Sequence, residues 1–277
     1  MPLTFLAHQA PVLPLKMRWP HLVDGTALVV GSMMPDLFFL TYGTGLYLNA
    51  HTVAAQLWLC LPLTLVITIA VKRLVAGALG PHLPDARGFH LRDWARLSAW
   101  PVPRTVRAWT TLVASALIGS FSHVALDACT HSWGFVVEHV AFLRPVAFRL
   151  PSALPRSLSG YPVHVYLLLQ VGLSVVLSIV TIWLLHRIGR RRRLVDWYPG
   201  AVLARPTPTS RRRVLVGAVA GAAIGATMAM AGWLVGNGHG LLFLITDCTG
   251  LGIILSSPWA RTAMVDAPAL GRDERAA

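Results

Sequence analysis

Apolar runs separated by arginine-rich stretches set the pattern of this chain. Runs of about twenty mostly apolar residues, the length that crosses a hydrocarbon core, lie at 52–71, 108–128, 163–186 and 214–235. Two weaker ones lie at 25–42, which is short and interrupted by Pro35, and at 240–257, which carries Asp247. The pattern predicts an all-α fold, a polytopic transmembrane helix bundle of about six spans with the first broken or re-entrant. It reads as one helical domain over residues 1–260. A basic stretch at 187–213, with Pro, Thr and Ser at 205–210, is expected to be a flexible loop, and 261–277 a polar tail. Residues 4–15 are apolar but too short to span, so they are expected to form a re-entrant or half-buried helix. Gly217, Gly221 and Gly225 recur every four residues and would let a neighbouring helix approach closely.

Charge distribution gives an orientation. The segment 72–107 holds seven Lys/Arg and 187–213 holds nine, whereas 43–51 and 236–239 hold none and 129–162 holds three. The positive-inside rule places the two rich segments in the cytoplasm. Six spans then leave both termini there, with the protein in the cytoplasmic membrane. Lys16 and Arg18 follow the apolar stretch 4–15 instead of preceding it, so no cleavable signal peptide is expected.

Composition agrees with a membrane environment. Apolar residues make up 55% of the chain and charged residues 13%, with mean hydropathy +0.60. A soluble chain carries roughly 25% charged residues, so this one lacks the material for a wetted surface. A net charge of +13 would suit nucleic acid. The arginines, however, lie between the apolar runs, and no aromatics interleave for base stacking. Membrane lipid is therefore the expected partner, and no nucleic acid is. Cys60, Cys129 and Cys248 are scattered without a CxxC and read as buried thiols.

Candidate chemistry comes from ionisable residues inside or beside the spans, where such groups are costly and tend to face one another or a cavity. His123, Asp127 and His131 are spaced by four. On a helix, that spacing puts His123 and Asp127 on one face, about 40° apart. His131 either continues that face or folds back where the helix ends. With the third span running outward, Asp127 and His131 lie at its extracytoplasmic end. The same topology brings Asp36, at the end of the first span, and His51, at the start of the second, to that membrane face. Imidazole and carboxylate are ligand types of zinc, manganese and iron, and a hydrogen-bonded structural network is the alternative. His8 joins the set if the chain turns back between residues 18 and 24. Glu138, His139 and Arg144 read as solvated, and His239 as exposed. His164 and Gln170 read either as groups supporting the site or as polar glue between helices, and Asp247 as an intramembrane acid without an evident partner.

These residues carry a resemblance. The opening Met1-Pro-Leu-Thr-Phe-Leu-Ala-His8 with Ala10-Pro-Val-Leu-Pro-Leu15, Gly31-Ser-Met-Met-Pro-Asp36, His51, Ser122-His-Val-Ala-Leu-Asp127 and Thr130-His131 resemble the bacterial membrane proteins grouped as domain of unknown function 4184. The match covers about residues 1–170, helped by Gly160-Tyr-Pro162 and Gln170. It departs at Gln9, Ala50, Leu126 and Ser132-Trp133, which bear on substrate contacts and leave every His and Asp in place. That pattern is in turn similar to the membrane-bound metal-dependent hydrolases. By this likeness His8, Asp36, His51, His123, Asp127 and His131 are expected to be metal ligands, with Asp36 or His131 as the acid–base group.

The resulting expectation is a hydrolase using a divalent metal, zinc first and manganese or iron next, on a lipid-linked or other amphiphilic ester or phosphoester. The alternative is a non-enzymatic membrane protein, either a metal- or proton-coupled transporter or a scaffold, whose His/Asp cluster is structural.

Overall fold

Polar caps decide where the main helices begin. In the computed structural model, the Asp24 carboxylate accepts the Ala27 N–H at 3.0 Å and opens α3 (Gly25–Leu37), after two short helices, α1 (Pro2–Ala7) and α2 (Leu13–Arg18). Thr52 accepts the Ala55 N–H at 3.2 Å and opens α4 (Val53–His82). Thr105 does the same for Ala108 at 3.2 Å and opens α5 (Val106–Thr130). Each cap satisfies a backbone donor that the first helical turn leaves without a partner. The chain continues through α6 (Phe135–His139), an antiparallel pair of strands β1 (Val146–Arg149) and β2 (Pro162–His164), and α7 (Val165–Arg190). It ends with α8 (Arg193–Trp197), β3 (Ala204–Arg205), α9 (Pro208–Leu234), α10 (Leu241–Arg261) and β4 (Val265–Asp266), which pairs with β3. The structure describes residues 2–38, 48–86, 88–152, 159–201, 203–234 and 241–266. His239 and the side chain of Asp247 lie outside what is described.

The protein is mostly helical. Among the described residues, three helical stretches are long and apolar enough to cross a membrane: Val53–His82, Val106–His139 and Val165–Arg190. The expected spans at 214–235 and 240–257 fall on α9 and α10, of 27 and 21 residues. The first apolar run is interrupted beside Pro35, as expected: the proline has no N–H for the Gly31 carbonyl, and α3 ends two residues later at Leu37, after 13 residues. Two details differ from expectation. The second run does not end at Lys72, because α4 continues to His82 with the ammonium buried 4.1 Å from the Trp100 ring centroid. The basic stretch 187–213 is structured at both ends, by the last turn of α7, by α8 and by the start of α9.

The chain divides into two compact units: Met1–Phe39, Tyr47–Leu65 and Thr105–Leu184; and Leu40–Leu46, Val66–Arg104 and Leu185–Ala277. In the first, α3 lies directly against α5. A Cβ on Gly31 would collide with the Ala116 carbonyl, and one on Gly119 with the Leu28 carbonyl. The Asp24 N–H also donates to Ser115 Oγ at 2.8 Å. Lys16 closes the turn before α3 by donating to the Pro20 and Val23 carbonyls at 2.5 and 3.0 Å. Burial pushes its ammonium pKa below the ordinary lysine range, and Asp24 opposes that shift. The expected return of the chain between residues 18 and 24 is thus present.

In the second unit, Arg192 holds a left-handed backbone (φ 49°) and forks onto Asp93, its Nε and Nη2 at 2.6 and 3.0 Å from the two carboxylate oxygens. That carboxylate raises the guanidinium pKa further. His82 sits between the Ala78 carbonyl at 2.8 Å and Ser210 Oγ at 2.9 Å. Along α9 and α10, Gly217 and Gly221 meet Gly252 so closely that a Cβ on Gly252 would strike the Gly217 carbonyl.

Candidate metal centre

All six expected residues meet in the first unit. Helix α3 delivers Asp36 in its last turn, and the residues before α4 deliver His51. One face of α5 delivers His123 and Asp127, as the spacing of four requires. Helix α5 then stops at Thr130. His131 caps it with an extended backbone, its N–H donating to the Asp127 carbonyl at 2.9 Å. The segment between α1 and α2 lays the His8 ring on the His123 ring, centroids 3.8 Å apart and planes 18° from parallel. Thr181 of α7 secures the end of α1, just before His8, by donating to the Leu6 carbonyl at 2.7 Å.

Asp36, His51, His123 and Asp127 form the tight core of the cluster, with one ligand atom from each lying within 4.8 Å of all the others. Nitrogens and oxygens alternate around it. His123 Nε2 is 3.3 Å from Asp36 Oδ1 and 3.2 Å from Asp127 Oδ2. His51 Nε2 is 3.5 Å from Asp36 Oδ1 and 3.2 Å from Asp127 Oδ2. Metal–ligand bonds of 2.0–2.1 Å in a tetrahedron give ligand–ligand edges of about 3.3 Å, and the four nitrogen–oxygen edges bracket that value.

The tautomer of His123 sharpens the point. Its Nδ1 lies 2.8 Å from the Ser32 carbonyl, which can only accept, so Nδ1 carries a proton. In the neutral ring, Nε2 then presents a lone pair to two carboxylate oxygens, an arrangement that either a cation between them or a second ring proton would satisfy. Nε2 is fully buried and makes no aligned hydrogen bond. A divalent ion would also balance the two carboxylate charges. The donor set, its charge and its spacing therefore fit a metal ion, with a backbone carbonyl orienting one imidazole as in many metal sites.

Asp127 joins the core to its flank. While Oδ2 faces His51 and His123, Oδ1 is 3.6 Å from His8 Nε2 and 3.4 Å from His131 Nδ1. A cavity of about 10 Å³, room for a single water, is bounded by His8, Asp127, His131 and Gln170. Gln170 Nε2 lies 2.9 Å from His131 Nε2, so its expected supporting place is found. His8, Asp36, His123 and Asp127 are buried, whereas the side chains of His51 and His131 keep 13% and 25% of their exposure. The half-exposed Trp133 ring stands against both, with centroids 5.1 and 5.2 Å away, and marks the side on which the cluster opens.

Other candidates stay apart from the cluster's hydrogen bonding. His139 Nδ1 donates to the Phe135 carbonyl, His164 Nδ1 to the Arg144 carbonyl and Arg144 Nε to the Val137 carbonyl, all from exposed or half-exposed positions. Glu138 is exposed. Gln56 was not singled out by sequence. It is fully buried in a π-helical turn of α4, Gln56–Cys60, donates to the Ala50 carbonyl at 2.6 Å and the Thr52 carbonyl at 3.1 Å, and accepts from Ser120 Oγ. It thereby clamps the backbone on both sides of His51 and ties it to α5. Its only sequence signal was an amide in an apolar run.

The sequence profile of the family described as domain of unknown function (DUF4184) matches residues 1–256. The chain belongs to that family. Its match extends well past the motif-bearing residues 1–170 and takes in α9 and most of α10. No curated protein and no solved structure matches. Within this DUF4184 chain, all the His and Asp positions that carried the resemblance converge on one cluster.

Proposed function

We propose that this DUF4184 protein is a metal-dependent hydrolase of the cytoplasmic membrane, with both termini inside and its His/Asp centre near the extracytoplasmic face. The observation that carries the reading is the quartet of Asp36, His51, His123 and Asp127, whose ring nitrogens and carboxylate oxygens alternate at metal-ligand spacing. A divalent cation, zinc in the first instance and manganese or iron next, would supply Lewis acidity and activate water there. Asp36, His51, His123 and Asp127 would hold it, so of the two roles expected of Asp36 the ligand role is kept.

His131 is the group suited to carry a proton. Its ring is partly open to solvent, touches Asp127 Oδ1 and borders the one-water cavity. The Gln170 amide can donate to a neutral His131 ring and, turned over, accept from a protonated one, so one partner supports both charge states. His8 packs the buried side of His123 and would keep that ring in place. A site at the membrane face suits a lipid-linked or otherwise amphiphilic ester or phosphoester.

The test is metal analysis of the detergent-purified protein beside a His123→Ala/Asp127→Ala double variant. Stoichiometric metal is expected in the first and none in the second, with helical content retained. Turnover of chromogenic esters and phosphoesters should then depend on that metal and fall in His131→Ala. A metal-free wild type, with the variant still folded, would leave a structural polar network in its place.

A further inference from the structure

The second unit contains a cavity of about 270 Å³ that the His/Asp centre does not use. Arg73 and Gly77 of α4 line one side, Ser98 of the 3-10 segment Leu91–Ala99 another, and Ala204 of β3 with Arg261 of α10 complete it. Its described lining thus includes two arginines and no acidic residue. Arg73 is exposed and makes no ion pair or hydrogen bond among the described residues. Small side chains keep the space open. Gly77 is already so near Ser98 that a Cβ there would come within 3.0 Å of the serine Cβ.

Arginine forks match tetrahedral oxyanions, to which they donate two parallel hydrogen bonds. Arg73 follows the twenty apolar residues 52–71 along α4, a length that matches the hydrocarbon core, and is exposed. We propose that this cavity binds a phosphate-bearing anion with the Arg73 fork as its principal donor, Arg261 adding its positive charge from the cavity wall. A lipid headgroup phosphate and free phosphate share that chemistry. The site is independent of the metal centre, and neither arginine belongs to it.

The experiment uses delipidated full-length protein and three probes: phosphatidylglycerol, inorganic phosphate, and diacylglycerol as the phosphate-free lipid. Binding is read by native mass spectrometry for the lipids and by calorimetry for phosphate. Phosphatidylglycerol is expected to be retained in preference to diacylglycerol. Arg73→Gln should weaken retention at least about tenfold, the scale of one lost charged hydrogen bond. Arg73→Lys, which keeps the charge without the fork, should recover part of it and serves as the second variant if the glutamine form unfolds. Weakened lipid binding with no phosphate binding assigns the headgroup. Weakened binding of both probes assigns the phosphate group itself. Equal binding by wild type and Arg73→Gln/Arg261→Gln, or no binding of either phosphate probe by wild type, overturns the proposal.

Discussion

Gln56 is a buried amide in an apolar helix, and every one of its described partners is itself buried or beside His51. Replacing it with leucine keeps the volume and the helix but strips donors from the Ala50 and Thr52 carbonyls and an acceptor from Ser120. A buried polar group left without its partner costs about 1–3 kcal/mol. Gln56→Leu is therefore expected to lower the melting temperature and also to reduce metal content, because the backbone presenting His51 loses its tether. Unchanged metal content in a destabilised variant would separate the two effects and remove Gln56 from the site. At this scale the six His and Asp residues were legible, since an ionisable group in apolar sequence must find a partner. The Ser32 carbonyl that fixes the His123 tautomer was not, because every residue has a carbonyl and only the fold aims one. Trp133 was read only as a departure from the family pattern, yet it stands against both partly open histidines.

Among the elements, the pairing of α3 with α5 brings Asp36 to His123 and Asp127, and that pairing depends on two solitary glycines. The obstacle facing a Cβ on Gly119 is the backbone of α3, which cannot rotate away as a side chain would. Gly119→Val should force the helices apart and cost more than the 1–3 kcal/mol of ordinary overpacking. The expected readouts are a lowered melting temperature in detergent and loss of the metal proposed to bind across the pair. A variant as stable and metal-loaded as wild type would show that the helices do not need that proximity. The four-residue repeat at 217, 221 and 225 flagged close packing, and Gly217 and Gly221 do pack on α10. Gly31 and Gly119 carried no such repeat and gave no signal. Helix ends were misjudged for a related reason. Lys72 read as the end of an apolar run, but its ammonium lies over Trp100, a partner 28 residues away that spacing rules do not reach.

For the whole molecule, sidedness decides what substrate the centre can meet. The reading rests on Lys/Arg counts in the connections, seven and nine against three or none, and it makes opposite demands on two exposed positions. Glu138 follows α5 beyond His131, in the arginine-poor connection, and should face the extracytoplasmic side; Arg92 lies in the arginine-rich connection and should face the cytoplasm. In a background with Cys60, Cys129 and Cys248 replaced, Glu138→Cys should react with a membrane-impermeant maleimide in intact cells. Arg92→Cys should react only after permeabilisation. The reverse labelling would invert the topology and put the His/Asp centre against the cytoplasm, where lipid-linked precursors and soluble metabolites are both at hand. Labelling of both in intact cells would mean that the connections do not alternate across the bilayer, and the hydrophobic runs would then need reassignment before any substrate class could be argued. The expected pattern confines the centre to amphiphiles and solutes on the outer side, which is why ester and phosphoester lipids head the substrates to screen.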